Sequence, residues 1–370
     1  MGNSDRILII DFLRGLSCLG VLLYHVRVDL WIGWRHISNY PQEYSYFCKA
    51  MAWISIPSPF MGYSILLFFL ISGFCIHYPN TYGNSRPNWK TYLISRFWRI
   101  YPAYLASLLL TAGVSYLCLI VWGDRNWDVS KIFRVATLTQ NYPPENGQFL
   151  TNPSLWTIPL EIEFYLLYPL AFLFFLSNRG SLLWMFTFAS STLSILLSYQ
   201  GYQWLTFTAL FLWPSWLLGA WIAKLYRDQK LNQIKLVYLV PLAGLSLGVA
   251  LMSRYQNWEA WIQYFAWTVF YSFFFIFCLS HAAFINRTIG IRLMKVVSWI
   301  GKISFSLYLV HFPLFKLFGY LHREFFEEKP ANFLISLFYL LPVILVASLF
   351  FRWVEDPIHQ WSKKKRKPLR

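Results

Sequence analysis

Apolar residues run in blocks of about 20 from one end of the chain to the other, long enough for a helix to cross the hydrocarbon core of a bilayer. Ten such blocks can be drawn, at 7–26, 58–77, 101–122, 157–176, 181–199, 203–223, 236–252, 263–284, 303–321 and 333–351. Polar turns such as Ser177-Asn178-Arg179-Gly180 and Gln200-Gly201 separate some neighbours, and longer loops separate the rest. The pattern predicts an all-α polytopic integral membrane protein with about ten transmembrane helices. No internal repeat at a fixed period is visible, which argues against inverted-repeat transporter folds.

Composition agrees with the pattern. Of 370 residues, 57% are hydrophobic, 21% are aromatic and 13% are charged, where a soluble domain carries roughly a quarter charged. A disordered chain, a nucleic-acid-binding tail protein and an ordinary soluble enzyme are thereby excluded. The net charge of +16 becomes a topology signal once its distribution is read. With the N-terminus inside, the inner segments 1–6, 78–100, 177–180, 224–235, 285–302 and 352–370 hold 21 Lys and Arg. The outer segments hold 9, and Arg14 and Lys316 lie within helices. This asymmetry predicts both termini in the cytoplasm. The run Lys363-Lys364-Lys365-Arg366-Lys367 would then lie against the anionic inner leaflet. The expected organisation is one membrane domain over 1–354 and a basic cytoplasmic tail over 355–370.

Four of the five cysteines (Cys18, Cys75, Cys118 and Cys278) fall inside apolar runs, and only Cys48 lies in a polar loop. No CxxC spacing appears, so neither a metal site, a redox site nor a disulfide framework is expected. The first apolar run follows Arg6 but lacks a small-residue cleavage site after it, and reads as an uncleaved membrane helix.

Candidate chemistry comes from polar groups placed where lipid disfavours them. The first helix carries Asp11, Arg14 and His25. Arg14 and His25 are about three helical turns apart, on one face and about 16 Å from each other along the axis. Asp11 lies three residues before Arg14 and can pair with it. The bland reading has Arg14 snorkelling to the inner interface and His25 near the outer one. Ser72-Gly73 in the second block permits close helix approach, and His77 at its inner end has no visible partner. Arg96 and Arg99 stand at i, i+3 near a helix start, where two guanidinium groups can bind phosphate or simply mark the inner side. Glu161 and Glu163 stand about 200° apart around the fourth helix, so only one faces a given site. Ser304, Tyr308 and His311 fall on one face of the ninth helix and need hydrogen-bond partners.

In order along the chain, these segments resemble the acyltransferase 3 family of integral membrane O-acyltransferases. The resemblance is carried by Asp11 to His25 with its Arg-x10-His spacing, by Phe-Phe-x-x-Ser-Gly-Phe at 68–74, and by Arg96-x-x-Arg99 leading to Pro102 and Tyr104. Ser154-Leu155-Trp156 with Glu161 and Phe164-Tyr165, and Ser304 to Pro313 ending in Tyr-Leu-x-His-x-Pro, complete it, with Glu355-Asp356-Pro357 near the end. No single motif is specific; the ordered set covers essentially the whole chain. Two departures stand out. Glu163 occupies a position where the family often has Gln, which makes Glu161 the better candidate. Pro159 suggests a distorted first turn of the fourth helix. Many relatives carry a further extracytoplasmic hydrolase-like domain; the expectation here is the membrane module alone, with a separate extracytoplasmic or polysaccharide-assembly partner left open.

The resemblance implies acetyl-CoA or another acyl-CoA as cytoplasmic donor, no metal, and a glycan or lipid-linked saccharide as acceptor, in a bacterial cytoplasmic membrane. It implies that Arg96 and Arg99 hold the CoA phosphates, that the pantetheine arm passes Arg14, and that the thioester ends near His25. His25 is then either a general base on the acceptor hydroxyl or a covalent acyl carrier. Glu161 orients the imidazole or binds sugar hydroxyls, and His311 is a second acid or base. Ser72, Ser304 and Tyr308 line or brace the donor path. Trp31, Trp34, Trp127 and Tyr142 either stack on sugars or anchor at the interface. Two other readings stay open: a glycan or lipid transporter using the same buried charges, and a non-catalytic polysaccharide assembly factor.

Overall fold

The apolar blocks are helical, and no strand occurs among the described residues. The computed structural model describes residues 3–81, 87–144, 147–177 and 179–364; Asn178 of the expected turn and the basic run from Lys365 to Arg370 lie outside them. Helix α1 (Asn3–Asp29) is followed by the short helices α2 (Trp34–Asn39) and α3 (Tyr46–Ile54), and then by α4 (Ser64–His77). Helix α5 (Trp89–Trp122) and the short α6 (Val129–Ala136) come next. Then follow α7 (Thr157–Leu176), α8 (Gly180–Tyr199), α9 (Ala209–Arg227), α10 (Leu236–Tyr255) and α11 (Ala260–Ser280). Helices α12 (Ala282–Ile289) and α13 (Ile291–Lys302) lead to α14 (Ser304–Phe326). The last elements are α15 (Phe333–Phe338), α16 (Leu340–Phe350), a π-helical turn (Phe351–Glu355) and α17 (Asp356–Lys364).

Among the described residues, nine stretches are long and apolar enough to cross a bilayer, and α13 with α14 makes a tenth if counted as one broken span. Each of the ten expected helices therefore has a counterpart. Two segments expected to be inner loops differ from expectation. Helix α5 begins at Trp89 rather than at residue 101, and the expected loop 285–302 is occupied by the end of α12 and by α13. Both carry charges among their apolar residues, so a search for unbroken apolar runs passes over them.

The side chains are sorted as lipid demands. Helix α10 buries Ser246, Ala250 and Ser253 and exposes Val237, Val240, Leu245 and Val249. Helix α8 buries Thr187, Ser191 and Ser194 and exposes Met185, Phe188, Leu193 and Leu196. Each helix also buries one leucine, Leu183 and Leu239, but the predominance of small side chains inside and large apolar ones outside fits helices packed in hydrocarbon. The chain is an integral membrane protein.

The helices gather into two compact units. The first comprises Met1–Ser17, Tyr63–Tyr92 and Pro159–Lys302. In it α4 crosses α9 at two glycines: a Cβ on Gly73 would overlap the Trp216 carbonyl, and one on Gly219 would overlap that of Leu70. Backbones can approach this closely only where no side chain intervenes. Pro214 removes the N–H that would have bonded the Leu210 carbonyl. Ser190 Oγ donates to that carbonyl at 3.0 Å, with Ser191 Oγ at 3.3 Å. The freed backbone group is thus satisfied from the neighbouring helix α8, as the membrane interior requires.

The second unit comprises Cys18–Gly62, Leu93–Ile158 and Ile303–Arg370. The C-terminal end of α1 is tied down here, with Trp31 Nε1 donating to the Ala331 carbonyl at 3.0 Å and the Ile32 N–H to that of Pro330 at 3.1 Å. Trp31 is buried, so it is a packing residue. Glu355 Oε2 accepts from both the N–H (3.2 Å) and the hydroxyl of Ser306 in the first turn of α14. A carboxylate at that position satisfies a donor the helix leaves open and meets the positive end of its dipole. Trp361 of α17 packs edge-on against Trp98, ring centroids 4.7 Å apart. The described part of the expected tail is thus helical as far as Lys364, with Trp361 packed on Trp98 and Ser362 buried, while Lys363 and Lys364 are exposed.

Candidate active site

Five of the eight candidate residues lie in the second unit and three in the first. In the first, Arg14 projects from α1 with its guanidinium 3.8 Å from Asp11 and donating to Cys75 Sγ at 3.7 Å. The i, i+3 pairing expected from sequence is present.

Glu161 sits among donors. Ser72 Oγ donates to Glu161 Oε1 at 2.6 Å, and the Tyr165 hydroxyl donates to the same oxygen. Trp216 Nε1 in turn donates to Ser72 Oγ at 3.1 Å. Ser72 therefore does more than allow helix approach: the neighbouring Gly73 brings α9 close, and Ser72 links Trp216 of that helix to Glu161. Glu163 points elsewhere. Its Oε2 accepts the N–H of Ala209 at 2.6 Å, at the first residue of α9. The two carboxylates thus serve different neighbours, as their angular separation requires, and Glu163 closes a helix N-terminus. His77, for which no partner was visible, contacts the Tyr168 hydroxyl through Nδ1 at 3.2 Å. Pro159 is the third residue of α7, after a 3-10 turn over Pro153–Trp156. In the first turn its missing N–H costs no helical bond, so the helix needs no distortion there.

In the second unit, His25 of α1 and His311 of α14 face each other, ring centroids 5.3 Å apart and planes inclined by 40°. Tyr24 and Phe312 stand edge-on to His25, each with centroids 5.0 Å away. His311 is fully buried, whereas His25 is partly exposed. His311 Nδ1 lies 2.7 Å from the Tyr308 carbonyl. A carbonyl only accepts, so Nδ1 carries the proton in the neutral ring and Nε2 keeps a bare lone pair. That Nε2 is buried without a hydrogen-bond partner, and so is Nδ1 of His25. Buried polar atoms are nearly always paired, and the exceptions call for an explanation.

Tyr308 belongs to the support of this pair. Its hydroxyl donates to the Ser154 carbonyl and lies 2.7 Å from Thr157 Oγ1, which must then be the donor between them. Asn152 extends the support: its Nδ2 donates to the Leu309 carbonyl at 2.8 Å, and its Oδ1 accepts from Ser154 Oγ at 2.6 Å. Further along, Gln140 Nε2 donates to the Tyr104 hydroxyl at 3.1 Å and to the Leu155 carbonyl at 3.2 Å. Sequence reading missed Asn152 and Gln140, because both lie in a polar loop. A signal existed in Pro313, which announces an unmet carbonyl four residues earlier, but the residue that meets it is 157 positions away.

Arg96 and Arg99 lie half-buried on one side of the amphipathic start of α5, flanking Trp98. Near the other end of α5, Lys316 Nζ is 2.7 Å from Asp124 Oδ2, with side chains only 8% and 5% exposed. Burial pushes the Asp124 carboxyl up, but the hydrogen bond and charge of Lys316, with the donors of Asn126, outweigh it and hold the carboxyl below its usual range. Among the described residues no group of three or more His, Cys, Asp or Glu side chains is placed to hold a metal ion.

A family model described as an acyltransferase domain matches residues 7–352. The O-acetyltransferase OatA of Staphylococcus aureus strain NCTC 8325 / PS 47 is 23% identical over 385 residues, covering 95% of this chain and 57% of that protein. The OatA of strain COL gives the same figures. The chain thus spans little more than half the length of these relatives. No solved structure matches.

Proposed function

This chain belongs to the acyltransferase domain family, and on that premise we propose that it moves an acyl group from acyl-CoA to a hydroxyl of a cell-surface glycan or its lipid-linked precursor. The relatives' name, O-acetyltransferase, favours acetyl as the group and acetyl-CoA as the donor. Their bacterial source favours a bacterial cytoplasmic membrane, with the donor reached from the cytoplasm.

The observation that carries the reading is the pair His25 and His311, two imidazoles side by side with unpartnered buried nitrogens inside a membrane protein. Transfer breaks the thioester C–S bond and forms a C–O ester bond; the acceptor hydroxyl loses its proton and CoA leaves as the thiol. A neutral imidazole with a free lone pair can take that proton and return it to the departing sulfur. In the alternative route, His25 attacks the thioester carbon, CoA leaves, and the acceptor hydroxyl then displaces the imidazole. Under either route His311 is the buried partner base, and partly exposed His25 meets the substrates.

The remaining candidates take supporting roles in this proposal. Arg96 and Arg99 hold donor phosphates, for which paired guanidinium groups suit. Arg14 lies along the donor path, and Glu161, held by Ser72 and Tyr165, orients a substrate or a neighbouring group. Tyr308 braces the 3-10 turn over Pro153–Trp156 and the first residue of α7, and reaches the donor only indirectly. The test compares surface glycans from a host lacking the gene and complemented with wild type or His25→Ala, by proton NMR of base-labile ester methyl signals. Restoration by wild type alone supports the proposal and identifies the acceptor. Restoration by both removes His25 from the mechanism, and absence with both returns the transporter reading.

A further inference from the structure

In a membrane helix a proline leaves the carbonyl four residues earlier without its donor, and hydrocarbon offers none. In α14 that carbonyl belongs to Leu309, left unmet by Pro313. It is met by Asn152 Nδ2 at 2.8 Å, from a loop far away in sequence. The amide has one orientation only. Its Oδ1 takes the Ser154 hydroxyl at 2.6 Å, and turning it over would set oxygen against the Leu309 oxygen. The same loop grips the preceding residue, because the Tyr308 hydroxyl donates to the Ser154 carbonyl. The peptides of Tyr308 and Leu309 are thus both tied to residues 152–154, Tyr308 through its side chain and Leu309 through its carbonyl. The Tyr308 carbonyl is the group that accepts the proton of His311 Nδ1.

We infer that Asn152 is a positioning residue: by closing the turn that Pro313 opens, it holds the carbonyl that keeps His311 in the Nδ1–H form, with Nε2 bare. Without that amide the open turn recruits water or tightens locally, the Tyr308 carbonyl moves, and the ring loses the partner that selects its tautomer. A role in catalysis rests on the acyltransferase reading of His311 as a base; the role in setting the tautomer does not.

The experiment uses the full chain in lipid, labelled with 15N-histidine, and magic-angle-spinning NMR, the His311 signals being those that vanish in His311→Gln. Wild type should show a protonated Nδ1 and an unprotonated Nε2, and Asn152→Ala should mix or reverse the two. A protonated Nε2 in wild type, or an unchanged tautomer in folded Asn152→Ala, overturns the inference. In acyl-transfer assays Asn152→Ala should lower kcat by about 100-fold, the scale of a misplaced catalytic group, with the donor KM unchanged. Pro313→Ala supplies the missing N–H to Leu309 and should recover most of that loss in the double variant. Simple additivity of the two losses would contradict the mechanism. If wild type transfers no acyl group, the functional reading fails, while the NMR result still decides the inference on its own terms.

Discussion

Around Glu161 the polar side chains spend their hydrogen bonds on one another, whereas His25 and His311 keep buried nitrogens in reserve. Ser72 gives its proton to Glu161 and receives that of Trp216, and Tyr165 fills the same carboxylate oxygen. His311 spends one nitrogen on a backbone carbonyl and leaves the other bare, and Nδ1 of His25 has no partner. Both clusters are built on helices long and apolar enough to cross a bilayer, where an unpaired polar atom is costly. A closed network specifies structure. An open one holds capacity for a ligand or a proton, which is where chemistry is expected. On the proposed function the motif residues divide into those that build and those that act, a division that the sequence motifs alone do not make.

The sharpest way to break this comparison is to remove each kind of residue and see which property falls. His311→Ala should cost acyl transfer by roughly 100- to 10,000-fold, the range for a lost general acid or base, with membrane insertion intact and any fall in melting temperature too small to account for that loss. A loss of stability with no specific loss of turnover would put His311 among the building residues. Asp124→Ala should do the opposite. It strands Lys316 in a buried site, at a cost of about 3–5 kcal/mol, read as a lower melting temperature in detergent. The pair also carries a pH dependence of known sign. Because the folded Asp124 carboxyl is held below its unfolded value, its stabilisation is complete above about pH 4 and fades as the pH falls further. Asp124→Asn should flatten that acid limb, and an unchanged limb would remove Asp124 from the account.

Smaller effects sharpen the same contrast. Ser72→Ala leaves the Trp216 N–H and one bond to Glu161 unmet, so stability should fall by about 1–3 kcal/mol and turnover should follow only in proportion. A much larger fall in turnover would move Ser72 into the acting set. Replacing Arg96 and Arg99 together with Gln should raise the donor KM by about tenfold, and added salt should raise it in wild type as well. An unchanged donor KM at low salt leaves these arginines as topology signals.

Much of the fold was legible because transmembrane helices declare themselves in apolar runs. The block expected at 157–176 is α7 residue for residue, and the Ser304 to Pro313 stripe opens α14 as drawn. Helix was hidden where burial is one-sided: the first turns of α5 carry Arg96 and Arg99, and α13 carries Arg292 and Lys295, so neither reads as a continuous apolar segment. The site was legible residue by residue but not as connections. His25, Glu161 and His311 stood out as ionisable groups in lipid. The partners of Glu163, His77 and the Leu309 carbonyl did not, because each pairing joins distant parts of the chain through a geometry that only the folded backbone creates.

The most direct test is CoA release by the purified protein reconstituted in lipid vesicles, supplied with acetyl-CoA with and without a glycan fraction, for wild type and His25→Ala. Thiol appearance that requires the glycan in wild type and vanishes in His25→Ala, with the variant equally folded and inserted, is the predicted result. Equal release by both proteins, or none from wild type with any glycan offered, would contradict the claim that the open histidine pair carries acyl transfer.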